Sequence, residues 1–570
     1  MKEQEIISAQ QELKHLRTRC GKVYALGNNR FRAVVQTTPV HEYDAATHQW
    51  VELSAEKRQQ MAAQAHSPIA TFADNSADSA AGILDTYVKE GSTQNFSHDE
   101  RLWISNTNYY GNRLTYLKVV DLPRLGANHF ITSAKLCVRN VYAPTADTAI
   151  MCTEVLEDWN PETITYATQP KVSGVYQDYC RVLKNQYSWK EFDVTSLARK
   201  WYLGDNHGVQ LSAPESESSF SQLHSSETAN QPYFVLEYAS LAGLESYLTY
   251  DHQSAGLEGT GSVSLVNGNL IFSHADTAMN GNRLPVSITH YYNSCDSDKD
   301  EFGMGYGWRT SLHQTLHKVL YNGEVEFVYT DGDGTEHFFK KNENDQKKYS
   351  DQSGLSLTLE VGDENITITD KGDNVMTFPL VSDTPTEDAP ETAKVLIQKI
   401  RDAVGNEITV TTLADSPLKI ASVTDGANRV TTLHYTDGRC ARIQTPWQDA
   451  ENCVRFKYEN GALVKIRHED NRASEYVYNE EIGYHLLKKA YGADGAFVEY
   501  AYTNTGKNRV DGLPHCITHA TVTGTKNGTT LTAANISYTY GNHMALVKDE
   551  ISGKTLRYHF NDDGNQTSVD

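Results

Sequence analysis

The apolar positions of this chain recur mostly with period two, in short runs. Ser133–Val141 (SAKLCVRNV) sets Ala134, Leu136 and Val138 on one face, and Pro232–Tyr238 (PYFVLEY) does the same with Phe234, Leu236 and Tyr238. Strict alternation with one apolar face predicts half-buried strands. From Gly259 onward the runs shorten and turns multiply, as in SVSLVNGNLIFSH, RLPVSITHYYN and GEVEFVYTDGDGTEHFF. One segment has the helical period instead. In FDVTSLARKWYLG, Asp193 is a fair N-cap, Val194, Leu197 and Trp201 share a helix face, and Gly204 is a natural stop. The pattern predicts an all-β protein: a jelly-roll-like β-sandwich followed by a multistranded antiparallel array.

After residue 400 the pattern repeats. His434–Ile443 (HYTDGRCARI) aligns with Lys457–Ile466 (KYENGALVKI), and Ala490–Tyr500 and His559–Val569 are looser copies. Self-similarity of this kind predicts units that bury their core faces against their neighbours. The Tyr-x-x-Gly spacing suits a three-residue hairpin loop with a left-handed Gly. That register sets Phe456 opposite Val464 and Val454 opposite Ile466. A two-residue loop would set Phe456 opposite Lys465, so the first keeps one face apolar. The organisation expected is a polar helix or linker over 1–20, a small β leader unit over 21–53 and a linker over 54–82. The sandwich over 83–240, a linker over 241–258, a β region over 259–399 and truncated repeats over 400–570 follow. Within these, 381–393 is an acidic, Pro/Thr-rich loop.

Composition agrees. The 570 residues include 38 Gly and 33 Tyr but only 7 Met. That mixture favours strands and tight turns over long helices. Mean hydropathy is low, −0.55, yet aromatics make up 10% of the chain, more than disordered chains carry. The net charge of −22, with no basic run beyond pairs such as Lys340-Lys341 and Lys488-Lys489, argues against a nucleic-acid partner. A polyanionic sugar would need a local basic patch to overcome that field. No apolar stretch approaches membrane-helix length, and the N-terminus MKEQEIISAQQELKHLRTR has no signal-peptide core. Of eight cysteines none forms C-x-x-C. Free thiols are the expectation, with Cys440 and Cys453 the one pair that could bridge.

Catalytic signatures are missing. In His313-Gln314-Thr315-Leu316-His317, Gln314 stands where a zincin has its Glu, and the even spacing places both imidazoles on one strand face. No Gly-x-Ser-x-Gly elbow or phosphate-binding loop occurs, and Asp331, Asp333, Asp437, Asp494 and Asp562 sit beside Gly as turn formers.

Residues 83–240 carry, in order, DTYV, GNRLTYLKVVDLP, ITSAKLCV, EDWNPETITYATQP, FDVTSLARKWY and HSSETANQPYFVLEY. These resemble a DNRLRE-type domain, related to carbohydrate-binding modules of jelly-roll fold. Tyr166 replaces a frequent Trp, and Leu117-Lys118-Val119 a more aromatic strand. GNLIFSHADTAMNGNRLPVSITHYYNS, FGMGYGWRTSL and YTDGDGTEHFF resemble the N-terminal shell region of RHS/YD-repeat proteins, and residues 22–53 the leader unit of wall-associated protein A-like toxins. The resemblance implies export to the outside or the cell surface. It also implies repeats that begin a hollow shell around a C-terminal effector, so the chain reads as an N-terminal or internal piece. The remaining repeats and effector of the same polypeptide would be its partners. Sugar binding needs exposed aromatic faces beside planar polar groups. The candidates are Trp103, Tyr109, Tyr110, Arg113, Lys118, His224 and Asn230, with a polysaccharide or cell-wall glycan as ligand. Trp159 and Trp201 are expected in the core. No cofactor is implied beyond a structural calcium, for which Asp85 is the candidate ligand. The expectation is a non-enzymatic binding and scaffold protein. A purely structural spacer or docking module and a polysaccharide hydrolase or lyase are the alternatives.

Overall fold

Among the described residues the alternating segments form strands, arranged in five sheets. The computed structural model describes residues 20–27, 30–36, 41–44 and 49–52. From residue 82 it describes all but 121, 123–128, 142–145, 203–204, 217, 229, 241–242, 255–258, 322–323, 343–344, 353–354, 387–390, 482–483, 504–515, 527–528, 542 and 562–563. The segment expected as a helix or linker over 1–20 (bar Cys20), the linker over 54–82 (bar Gly82), Gly204 and Asp562 lie outside the described residues. The chain divides into two compact units, the first made of most residues up to Tyr238 and the second of Ala239–Asp570 together with the short stretches 26–30 and 126–130.

The strands of the first unit are β1 (Cys20–Gly27), β2 (Arg30–Gln36), β3 (His41–Asp44), β4 (Gln49–Glu52), β5 (Ile83–Lys89), β6 (Arg101–Thr107) and β7 (Gly111–Val119). They continue as β8 (His129–Arg139), β9 (Thr148–Val155), β10 (Val172–Val182), β11 (Trp189–Asp193), β12 (Val209–Ser212), β13 (Phe220–His224) and β14 (Tyr233–Ser240). One sheet runs β1-β2-β14-β8-β11. The other runs β10-β9-β12-β7-β6-β13, with β5 also on β7. The leader strands β1 and β2 thus extend the sandwich's own sheet, and Arg32 Nε and Nη2 donate to Glu237 Oε1 on β14 at 3.0 and 2.8 Å. Ala134, Leu136, Val138, Phe234, Leu236 and Tyr238 are buried as the alternation requires. Helix α1 (Thr195–Tyr202) buries Leu197 and Trp201, and the Trp201 ring lies 5.9 Å from Phe234. Asp193 Oδ1 accepts from the Thr195 N–H at 2.9 Å.

The second unit starts with a five-stranded sheet, β15 (Tyr250–Ser254), β16 (Thr260–Ser264), β17 (Leu270–Ala278), β18 (Ser287–Asn293) and β19 (Trp308–Thr310). Strand β15 falls inside the segment expected as a linker. A single antiparallel sheet of twenty-three strands follows, from β20 (Thr315–Tyr321) to β42 (Gln566–Val569). One hydrophobic cluster joins the two sheets, from Val263 to Phe560. The large sheet meets the small one along its length, through Met279 at Thr431, Gly303 at Cys440, Tyr292 at Leu487 and Gly268 at Ile517. It therefore curls around the five-stranded sheet.

The repeats show how the sequence sets that curl. Between β31 (Val430–Thr436) and β32 (Arg439–Gln444) the loop is Asp437-Gly438. Between β33 (Val454–Glu459) and β34 (Ala462–Arg467) it is Asn460-Gly461. All four have φ between +49° and +85°, the two-residue turn whose twist matches the strands. The expected three-residue loop is therefore corrected, and so is the register: Phe456 pairs with Ile466. The extra residue sits in a β-bulge, where Tyr458 pairs with Leu463 and Lys457 with Lys465, skipping Val464. Tyr435, opposite Cys440, repeats this at Ala441. Between β35 (Ala473–Glu481) and β36 (Tyr484–Tyr491) Tyr478 pairs with Leu487. Between β37 (Phe497–Tyr502) and β38 (Ile517–Lys526) Tyr502 pairs with Ile517.

These tyrosines form a ladder. Tyr458 Oη donates to the Cys440 carbonyl at 2.9 Å, Tyr478 Oη to Leu463 at 2.6 Å and Tyr502 Oη to Leu487 at 2.9 Å. Each reaches the residue that faces the preceding tyrosine. The bulges also free backbone N–H groups toward the small sheet, which accepts them. Cys440 N–H donates to the Gly303 carbonyl at 2.8 Å, Ile517 N–H to Gly268 at 2.9 Å, and Leu487 N–H to Tyr292 Oη at 3.0 Å. Buried backbone donors are thereby satisfied only when both sheets are in place.

Candidate functional site

Four of the candidate sugar-binding residues converge at the β6–β7 hairpin. Gly111, at φ +70°, turns the chain into β7, and the Tyr110 N–H donates to Thr107 Oγ1 at 3.1 Å. This puts the Tyr110 ring 5.6 Å from Trp103 and 4.8 Å from Phe220 of β13. The Arg113 guanidinium lies 4.2 Å over the Trp103 ring, with Nε donating to the Tyr110 carbonyl at 3.3 Å. Tyr109 stands edge-on to Tyr110 at 4.7 Å and is 87% exposed. Arginine covers one face of the indole, so Tyr109 offers the open aromatic surface.

His224 and Asn230 make their contacts away from these four residues. His224 lies opposite Arg101, whose Nη1 donates to Gln222 Oε1 at 3.4 Å, and Gln222 lies opposite Trp103. Burial, helped by the Arg139 and Arg101 charges, brings the His224 imidazole down to about 4. Asn230 Oδ1 accepts from Arg139 Nη1. Lys118 stands apart, five residues beyond Arg113 and so about 16 Å along the strand. Its Nζ pairs with Asp158 at 3.0 Å, in the loop where Trp159 packs 5.6 Å from Tyr116 and donates to the His207 carbonyl at 2.8 Å.

The surroundings of Asp85 do not fit a calcium ion. Oδ2 accepts from the Ser226 N–H at 2.6 Å and Oδ1 from the Ser226 hydroxyl at 3.0 Å. Burial pushes its carboxyl up to about 7 against those two bonds. Among the described residues no group of three or more His, Cys, Asp or Glu is placed to hold a metal. Calcium needs six or more oxygens, so Asp85 is a loop cap.

His313 and His317 do not share a strand face as expected. Strand β20 begins at Thr315, and His313 lies in the preceding turn, where Nδ1 accepts from the Thr310 N–H at 3.0 Å. Both rings are buried. The described cysteines, Cys440 and Cys453 among them, are unbridged.

Two features escaped the sequence reading. On β10, Val175, Tyr176 and Tyr179 are exposed, and a bulge between Tyr176 and Asp178 brings the tyrosines to one face, opposite Thr153 and Met151. Spacing of three within a strand disguised them. In the second unit, His274 Nδ1 contacts Asp276 Oδ1 at 2.9 Å and His274 Nε2 contacts Ser474 Oγ at 3.1 Å. His290 Nδ1 contacts the other Asp276 oxygen, and His468 Nε2 lies 3.2 Å from His274 Nε2. Burial pushes Asp276 up, but His290 and His274 more than reverse it, to about 2. The connectivity is that of a serine hydrolase triad. Ser474 and His274 are nevertheless sealed from solvent, so the group acts as a buried polar network tying β17 and β18 to β35.

Residues 77–238 match the model of carbohydrate-binding module family 96. Residues 260–339 match a domain of unknown function, DUF6531, which is associated with RHS/YD repeats. No curated protein matches the chain. Solved structures with some likeness include a porin-like protein from Bacteroides uniformis, at 15% identity over 40% of this chain and 96% of that one, TM-score 0.17. TcdB2–TccC3 shows 8% identity over 53% of this chain and 23% of that one, TM-score 0.16. The Tc holotoxin pore of Photorhabdus luminescens shows 8% identity over 53% and 22%, TM-score 0.16. The chain spans less than a quarter of the last two, and at such scores these likenesses carry no argument. The chain thus joins a carbohydrate-binding-module-like sandwich to an RHS-associated β region.

Proposed function

We propose that this is a non-enzymatic, exported or cell-surface RHS/YD-repeat protein of the DNRLRE and wall-associated protein A type. In this reading its sandwich holds a glycan at the Tyr109 hairpin and its curled sheet begins an encapsulating shell. The observation that carries the glycan reading is the exposed Tyr109 ring braced by Tyr110, Trp103 and Arg113, within the residues that match a carbohydrate-binding module. A sugar ring would stack on Tyr109, with the Arg113 fork donating to hydroxyl or carboxylate oxygens. The buried Tyr–amide lattice of the second unit supports the shell reading, since it rigidifies a curled wall.

The test is a glycan array followed by pull-down on insoluble polysaccharides with the whole chain. Tyr109→Ala and Arg113→Gln should each weaken capture at least tenfold while the thermal unfolding midpoint stays within about 2 °C. Capture unaffected by both substitutions, or no capture on any polysaccharide, would refute the site.

A further inference from the structure

The outer face of the repeats carries a row of cations that the fold does not need. Arg442 on β32 lies directly opposite Arg455 on β33, and Arg455 directly opposite Arg467 on β34. His434 faces Arg442 at one end, and one register step away Lys457 faces Lys465. The alternate residues Ile443, Val454, Phe456 and Ile466 are buried, so these cations share the opposite, outward side. With strands about 4.8 Å apart, three guanidinium stems stand within about 10 Å.

Like charges directly opposite one another destabilise a sheet. Elsewhere this sheet avoids them: Lys489 faces Glu499 at 3.0 Å, Lys348 faces Glu360 at 4.0 Å and Lys465 faces Glu475 at 2.5 Å. In the arginine row, among the described residues, only Glu451 approaches, 3.5 Å from Arg455. Among the described residues Arg442 and Arg467 have no carboxylate at ion-pair distance. The buried Nε atoms of Arg442 and Arg455 have no hydrogen-bond acceptor. In a chain of net charge −22, Arg442 and Arg467 thus stand without a carboxylate partner among the described residues, while Lys457 is paired with Glu459 at 2.6 Å.

The row ends in a cleft. Arg467 faces Ala473, whose small side chain and the neighbouring Gly492 leave a cavity of about 660 Å³ lined also by Lys465, Arg472 and Tyr491. Its two acids are already engaged, Glu475 by Lys465 at 2.5 Å and Asp470 by Arg472 at 2.6 Å. Arg467 and Tyr491 line the same cleft, and no carboxylate stands at ion-pair distance from Arg467 among the described residues.

We propose that the row Arg442–Arg455–Arg467 and the adjoining cleft bind a linear, carboxylate-bearing polysaccharide. One sugar would enter the cleft against Tyr491, and successive carboxylates would engage the guanidinium groups. Guanidinium forks bind carboxylates bidentately. An aromatic wall with small residues beside it suits a sugar ring. A nucleic acid would want a broader basic surface than three arginines on an acidic protein. The site extends the glycan-engaging reading of the chain but shares no residue with the Tyr109 hairpin.

The experiment is fluorescence anisotropy of labelled oligogalacturonate with the whole chain at low and moderate salt. The Arg442→Gln, Arg467→Gln double variant should weaken binding at least tenfold. Arg442→Lys, Arg467→Lys should recover part of the affinity, and Tyr109→Ala should leave it unchanged. In the absence of sugar, Arg455→Gln should raise the unfolding midpoint at low salt by relieving the row. No binding of oligogalacturonate, unchanged affinity in the Gln double variant, or equal binding of polyglutamate or single-stranded DNA would overturn the proposal. Loss of affinity in Tyr109→Ala alone would place acidic-sugar binding on the sandwich instead.

Discussion

Replacing Gly461 by Ala measures how tightly the repeat hairpins close on the small sheet. Gly461 has φ +85°, so any L-residue there takes on left-handed strain of about 1–2 kcal/mol. A Cβ would also lie 2.5 Å from Tyr306 Cε2 and 2.9 Å from Arg439 Nη2. Neither neighbour can yield freely. Tyr306 is stacked on His485 at 4.0 Å with the rings almost parallel, and Arg439 Nε donates to Asp300 at 2.8 Å. Overpacking of this kind adds about 1–3 kcal/mol. Gly405 is the control, since its φ is +91° and nothing stands within 4 Å of an added Cβ. Gly405→Ala should therefore cost about 1–2 kcal/mol and Gly461→Ala about 2–5. Urea unfolding followed by far-UV circular dichroism reads the difference. Equal losses in the two variants would mean that the Tyr306 segment is not locked against the hairpin, and the account of the curled sheet would fail.

Three further outcomes concern buried polar groups elsewhere in the chain. Tyr458→Phe removes one buried bond to the Cys440 carbonyl and should cost about 1 kcal/mol. Tyr478→Phe also orphans the Trp308 indole N–H, which donates to Tyr478 Oη at 2.8 Å, and should cost about 2–3; the reverse order in urea unfolding would disprove the ladder. Burial, with the Lys394 charge, brings the His317 imidazole down to about 3, so the folded state excludes a proton that the unfolded chain takes up below about 6.5. Stability should fall as pH drops from about 6.5 toward 3, by about 1.4 kcal/mol per pH unit for this group, and His317→Leu should flatten that slope in urea midpoints measured at pH 7, 6 and 5. Asp85 has the opposite sign: its carboxyl is held up to about 7, so the fold favours the protonated form and loses stability as pH rises from about 4 to 7. Asp85→Asn should raise the melting temperature of the sandwich at pH 8 but not at pH 5, and calcium or a chelator should leave both proteins unchanged.

Period two was legible because it follows from backbone pleating alone. Ala134, Leu136, Val138 and the Phe234–Tyr238 row are buried as their spacing requires, and α1 presents Leu197 and Trp201 inward. The hairpin cluster was legible for a related reason, since Trp103, Tyr109, Tyr110 and Arg113 lie within one two-strand turn and had to meet. Lys118 belonged to the same strand but not the same place, and only the Asp158 loop decides where it points. Contacts between residues hundreds of positions apart, such as His274 with Ser474, leave no local signal.

The bulges were hidden for a different reason. A two-residue Asn-Gly or Asp-Gly turn by itself would set Phe456 against Lys465, and a three-residue loop preserves the apolar face with less machinery. The chain does neither: it takes the tight turn and skips Val464, so Phe456 still meets Ile466 while Tyr458 turns inward to bond the hairpin before it. The skipped residue is what frees the inward amide at Cys440 for the Gly303 carbonyl. Alternation therefore reports which residues are buried, and the Tyr-x-x-Gly repeat reports something further: where each strand breaks step so that the wall can bond both to its neighbour and to the sheet it encloses.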